Sequence, residues 1–185
     1  MTCRRSMFTA VVVAVASMSL AAPVRAQAPT TGWRGEFIHM MNGLEGKYTQ
    51  LANAMPWETY SWRPGAGVRS VCEVFLHIGG DNYLLAEPLG PKTPAGIDLK
   101  TIENCPDSKE KVLATMKGGF AFVRSAVMAT SDGAGDEMVD FFGTKITKRA
   151  LLLAIAEHAG EHLGQSIAYA RMNGVVPPWS MAPAK

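Results

Sequence analysis

The stretch AEHAGEHLGQ, residues 156–165, sets His158 and His162 one helical turn apart among apolar and small residues. Side chains four positions apart differ by about 40° around a helix axis. Leu151, Ile155 and Tyr169 fall on the same side, so both imidazoles lie within the apolar stripe and face the interior. His77 lies at the edge of a second stripe made by Val74, Ile78 and Leu85, with Asp81 about 40° to one side and Glu73 about 40° to the other. Two histidines at i and i+4, joined by one from a facing helix, can offer three neutral nitrogens to a divalent ion and leave a position open for water or substrate. That is the donor set of a reactive metal site rather than a closed structural one. The rival reading is a group of core histidines satisfied by carboxylates or backbone. It is weakened by the cost of desolvating three imidazoles in one small domain. Three imidazoles suit several first-row ions, zinc and nickel among them, and do not choose between them.

Other side chains carry narrower expectations. Asp81 is the candidate catalytic carboxylate, as the orienter of an imidazole, a fourth ligand, or a base acting on water at the metal; a structural or solvated acid is the equal alternative. Glu73 has a better use in a capping box with Ser70. Gln165 could hydrogen-bond a ligand histidine or make a simple bundle contact. Glu161 is at the margin of its stripe and Glu157 beyond it, and neither receives a catalytic role. His39 shares its helix side with Gly43, Gly46 and Gln50, away from the apolar stripe, and reads as a surface residue. Gly79 and Gly80 weaken a helix by about 1 kcal/mol each relative to alanine. They point to a neighbour or ligand that needs the space. Trp57, Trp62 and Trp179 plug the ends of the bundle or line a pocket mouth.

Four segments must position these residues. Residues 33–54 carry a stripe of Phe37, Met40, Met41, Leu44, Tyr48 and Leu51 that continues to Met55. Ser70 opens a second helix that runs to Ala86 and closes at Pro88. Asp107 or Ser108 starts a third, striped by Val112, Leu113, Met116, Phe120, Val123 and Val127. Thr147 caps a fourth, which lasts to about Met172 and ends in Asn173-Gly174. Residues 131–147 hold a turn and a short extended piece. With almost no other strand signal, the class is all-α and the architecture a four-helix bundle.

Residues 1–26 have a basic start, an apolar run too short to span a bilayer, and a small-residue ending at Ala26, the pattern of a cleaved signal peptide. The expected mature protein is therefore exported, periplasmic or secreted, with a flexible lead-in over 27–32 and one domain over 33–180. Arg4, Arg5 and Arg25 leave with the signal, so 18 basic against 16 acidic residues become 15 against 16. Neither nucleic acid nor an acidic membrane surface is favoured as a partner, and the domain is not expected to be membrane-embedded. Homodimerisation stays open, with no interface signal to assert it.

The pieces YSWRPGAGVRSVCEVFLHIGGDNY and HAGEHLGQSIAYARMNGVVPP resemble the DinB-like four-helix-bundle metalloproteins, and the similarity runs from about Trp33 to Trp179. The resemblance implies that one histidine of the second helix and two of the fourth bind a divalent metal, which here are His77, His158 and His162. It also implies an up-down-down-up course with a long crossover between helices 2 and 3, a role suited to the proline-studded run from Pro88 to Pro106. Activities in that family include thiol-dependent transfer, with mycothiol or bacillithiol, and metal-dependent hydrolysis. Those thiols are cytosolic, so an exported member is expected to be a hydrolase with a small-molecule substrate. A thiol-dependent transferase and a non-catalytic metal- or ligand-binding bundle are the alternatives. In the implied topology helices 2 and 3 run parallel with their N-termini together, which allows a Cys72–Cys105 disulfide. A simple up-and-down bundle would hold these cysteines roughly 25 Å apart.

Overall fold

The computed structural model describes residues 31–181. The expected signal peptide, its cleavage point and most of the expected lead-in lie outside the described residues. The four helices are α1 (Gly32–Ala54), α2 (Val71–Ala86), α3 (Lys109–Ala129) and α4 (Lys148–Met172). The extended piece is a hairpin of β1 (Met138–Phe141) and β2 (Thr144–Thr147), antiparallel, with Met138 opposite Thr147 and Phe141 opposite Thr144.

Local chemistry sets the helix starts. Ser70 accepts from the Glu73 backbone N–H at 3.3 Å while its own N–H donates to Glu73 Oε2 at 2.7 Å, the reciprocal pair of a capping box. Glu73 is thereby committed to the cap, as its spacing suggested. Ser108 Oγ accepts from Lys111 and Thr147 Oγ1 from Ala150, each satisfying one of the N–H groups that a helix start leaves unpaired. α1 has no such cap at Thr31, and begins at Gly32, inside the expected lead-in.

Contacts along the helices give their directions. Tyr48 donates to Ala159 O at 2.8 Å, and the Arg149 guanidinium lies 6.0 Å from the Trp33 ring, so α1 and α4 run parallel. Cys72 is bonded to Cys105 near the start of α3, and Tyr83 packs on Phe122 with ring centroids 5.1 Å apart, so α2 and α3 also run parallel. Lys109 donates to Asn53 O at 3.2 Å while Arg34 donates to Met128 O at 3.4 Å, which sets α1 against α3. The course is up-down-down-up, and residues 87–108 are the crossover that returns the chain to the starting end of α2.

The core is lined by Met41, Tyr48 and Leu51 of α1, Phe75 and Ile78 of α2, Met116 and Phe120 of α3, and Leu151 and Ile155 of α4, all essentially inaccessible. Met40 departs from the expected stripe and is 41% exposed. It lies on the outer flank of α1, where it borders an apolar groove with Trp33, Phe37 and Leu153 rather than the core. Among the described residues α3 is long and apolar enough to cross a membrane by length and composition; its buried stripe packs within the bundle. His39 is exposed, as expected.

The glycines of α2 answer to a neighbour. A Cβ on Gly79 would stand 2.9 Å from Met116 Cα, and one on Gly119 would stand 2.2 Å from Gly79 O. The two backbones meet directly at this level. Gly80 is covered by Ile102 of the crossover, whose Cγ2 would be 2.7 Å from an added Cβ. Gly119→Ala is expected to lower stability by about 1–3 kcal/mol, because parting two helices costs more than alanine's helix preference returns. Gly160→Ala, with nothing within 4 Å of the added atom, should instead gain up to about 1 kcal/mol. Urea denaturation of the two variants checks the contrast, and equal effects would contradict the close packing.

Candidate metal centre

His77 sits on the second turn of α2, and His158 and His162 on the middle turns of α4. Because α2 and α4 run antiparallel, His77 meets His162 while Asp81, one turn further along α2, meets His158. The ring centroids are 5.2 Å apart for His77 and His158, and 4.6 Å for each of the other two pairs. One nitrogen from each ring lies within 4.8 Å of the others. A tetrahedral ion with metal–nitrogen distances of about 2.0–2.1 Å holds its nitrogens about 3.3–3.4 Å apart, so ligation draws these rings closer together. His77 is buried, and the other two are half-buried. The sequence-predicted triad is therefore brought together at one point.

The outer nitrogens of two rings are engaged. His77 Nδ1 lies 2.8 Å from Glu103 Oε1, and His162 Nδ1 lies 2.7 Å from Gln165 Oε1. Gln165 Nε2 in turn donates to the Tyr169 hydroxyl at 2.9 Å, which leaves its oxygen to accept from the ring. An acceptor on Nδ1 puts the proton there and turns the Nε2 lone pair toward the centre, the orientation that metal ligation needs. Gln165 thus has the contact with a candidate ligand histidine that its position allowed. His158 differs: its Nδ1 is buried without a partner among the described residues.

Asp81 Oδ2 stands 3.1 Å from His158 Nε2 and 3.4 Å from His77 Nε2. In the tautomer that carries its proton on Nδ1, toward Glu103, the His77 ring presents the Nε2 lone pair to this carboxylate. Two acceptors facing each other is an arrangement that a cation between them resolves, so the donor set fits a divalent ion. Burial pushes the Asp81 carboxyl up, but the hydrogen bond from His158 and the attraction of His77, His158 and Arg69 outweigh it and hold the group below the usual aspartate range. Burial, aided by repulsion from His158, His77 and Arg69 and opposed by Gln165, lowers His162 below the ordinary histidine value. It is therefore neutral, and free to donate its lone pair, at neutral pH.

Glu103 and Arg69 were not anticipated from the sequence. Arg69 grips Glu103 with two bonds, Nε to Oε2 at 2.7 Å and Nη2 to Oε1 at 3.0 Å. Burial raises the Glu103 carboxyl, yet Arg69 and His77 together bring it below the usual glutamate value. An open polar depression of about 610 Å³ is lined by Arg63, Arg69, Glu73, Glu103 and Gln165, the last two being the residues that bond His77 and His162. The one usable signal for Glu103 was its place two residues before Cys105. Glu157 and Glu161 are exposed and take no part. Of the tryptophans, Trp62 packs edge-on against Tyr169 at 5.3 Å, at the end of the Gln165–Tyr169 chain, and Trp57 packs at a tilt against Tyr60 while remaining partly exposed.

The DinB superfamily model matches residues 41–166, which include every ligand candidate. The chain belongs to the DinB superfamily. No curated protein matches it in sequence. A DinB-like protein from Bacillus cereus superposes with a TM-score of 0.68 at 18% identity, covering 77% of this chain and 93% of its own. A DinB-like protein from Bacillus subtilis gives 0.60 at 20% identity, covering 75% and 92%. YfiT from Bacillus subtilis, described as a probable metal-dependent hydrolase with an unusual four-helix bundle topology, gives 0.59 at 15% identity, covering 84% and 94%. At such identities the likeness is one of fold: these DinB-like bundles share the helix course described above.

Proposed function

We propose that this DinB superfamily member is an exported, divalent-metal-dependent hydrolase of a small molecule, with His77, His158 and His162 as the metal ligands and Asp81 as the catalytic carboxylate. The observation that carries the reading is the convergence of three imidazoles from α2 and α4 within 4.8 Å, two of them with Nδ1 already engaged by Glu103 and Gln165. Zinc, nickel or a similar ion would supply Lewis acidity, lowering the pKa of water toward neutrality and polarising a substrate carbonyl or phosphoryl oxygen.

Asp81 is ionised at neutral pH and lies beside two of the proposed ligands, so it can hold the proton removed from an attacking water. Gln165 and Glu103 keep the rings from turning, and the depression between Arg63 and Gln165 offers polar contacts to the remainder of the substrate. Export is supported by the character of residues 1–26 and by the Cys72–Cys105 bond, which suits an oxidising compartment. The nearness of Asp81 Oδ2 to two Nε2 atoms favours a second reading, in which the carboxylate closes the coordination shell and the bundle holds its ion without catalysis.

Elemental analysis of the mature protein should find one equivalent of ion. A panel of ester, amide and phosphoester substrates should then reveal an activity that chelation abolishes and the ion restores. Asp81→Asn should lower kcat by about 10²–10⁴-fold while the ion stays bound, as for loss of a general base. Activity that is indifferent to chelation would overturn the proposal. If Asp81→Asn instead releases the ion, and the cobalt spectrum of the unaltered protein ignores azide, the closed, non-catalytic site is the right one.

A further inference from the structure

The carboxylate that sets the ring of His77 belongs to no helix. Glu103 sits in the last residues of the crossover, two positions before Cys105, while its partner Arg69 precedes the Ser70 cap of α2. Cys72, in the first turn of α2, is bonded to Cys105 with a Cα–Cα distance of 5.9 Å. Besides the Glu103–His77 bond itself, three links fasten the end of the crossover to α2 and the residues that open it: the disulfide, Ile102 against the bare backbone of Gly80, and the Arg69–Glu103 pair. The ion pair is exposed on both sides, with 41% and 36% of the two side chains accessible, so water and salt compete with it. Only the disulfide is covalent.

We propose that Glu103 is a positioning residue for His77, and that the Cys72–Cys105 disulfide holds it in place, so that the metal affinity of the His77, His158 and His162 site follows the thiol–disulfide state. The inference rests on the reading of these three histidines as metal ligands. Glu103 Oε1 accepts from Nδ1, fixes the tautomer and the ring rotation, and strengthens Nε2 as a donor. A partner of this kind changes metal affinity by about 10–100-fold. Reduction by an external dithiol opens the bond by two thiol–disulfide exchanges. Two electrons and two protons pass from the dithiol to Cys72 and Cys105, which become thiols, and the dithiol is left as a disulfide. Glu103 then depends on its exposed pair with Arg69. The coupling is reciprocal, so a bound ion protects the disulfide by the same factor.

The test compares zinc affinity, by competition with a chromophoric chelator, in four proteins: the oxidised unaltered chain, Cys72→Ser/Cys105→Ser, Glu103→Gln, and all three substitutions together. The expected result is one tight equivalent in the first, binding about 10–100-fold weaker in the second and third, and no further loss in the fourth. Equal affinity in the first two overturns the proposal, as does a fourth protein whose losses multiply, because the disulfide would then act without Glu103. An oxidised chain that binds no zinc overturns both this proposal and the metal reading beneath it.

A second measurement covers the case in which the serine variant does not fold. The midpoint potential of the Cys72–Cys105 couple, read by alkylation against a protein dithiol buffer, should fall by about 30–60 mV when zinc saturates the unaltered chain, the equivalent of that fold-change for two electrons. In Glu103→Gln the potential should not move. A rise on adding zinc, from the freed thiols binding the ion, would overturn the proposal.

Discussion

Alanine at His77, His158 or His162 is expected to lower the affinity for zinc or nickel by more than about 100-fold in each case. Losing only a supporting partner of a ligand histidine costs about 10–100-fold, and removing the ligand itself takes away a bond to the ion as well. The three losses should be of similar size, because each ring contributes one nitrogen to a cluster whose members all lie within 4.8 Å. Chelator competition and the ion-to-protein ratio after dialysis measure them. The depressed His162 value adds a sign: a lowered histidine pKa leaves the ring neutral through the neutral range, so proton competition for this ligand begins only in acid. A variant that keeps its ion at full affinity would remove that histidine from the site. Retention by all three would remove the site.

The second large effect is on stability. Cys72→Ser/Cys105→Ser is expected to lower the unfolding free energy by about 4 kcal/mol, the chain-entropy value for a bond whose ends are 33 residues apart. In a domain of this size that corresponds to a fall in Tm of roughly 8–16 °C. The loop in question contains most of α2 and most of the crossover, and beside the disulfide this end of the crossover is held by Ile102 on Gly80, by Arg69 with Glu103 and by Glu103 with His77. Reversible urea denaturation of the oxidised chain and the variant checks it. A difference below about 1 kcal/mol would mean that the open chain keeps this end of the crossover in place unaided.

What could be read from residues alone follows from which interactions are local. Ser70, Ser108 and Thr147 announce helix starts because a cap needs only the next three residues, and all three hold the expected bonds. The inward face of His158 and His162 follows from helical spacing against Leu151, Ile155 and Tyr169. Gln165 was foreseeable for the same reason, three residues from His162 on one helix. Met40 shows the limit of periodicity: it lies at the flank of a genuine stripe, and whether a flank is covered depends on where the neighbouring helices stop. Glu103 shows a deeper one. It reaches His77 across 26 positions through a crossover with little regular structure beyond a 3-10 turn at Glu87–Leu89, so only its place two residues before Cys105 marks it. The bond at Cys105 is what brings it within reach.

The helix course has an electrostatic consequence. In a simple up-and-down bundle every adjacent pair of helices opposes its macrodipoles; here α2 lies beside α3 and α1 beside α4 with like poles together. The positive poles of α2 and α3 share one end, and their first turns carry Glu73 and Glu110, while the first turns of α1 and α4 carry no acid. At the opposite end Asp132 and Glu137 of the hairpin segment stand close to the starts of α1 and α4 through Arg34 and Lys148. Both like-pole pairings therefore have carboxylates beside them, drawn from within the helix in one case and from a connecting segment in the other.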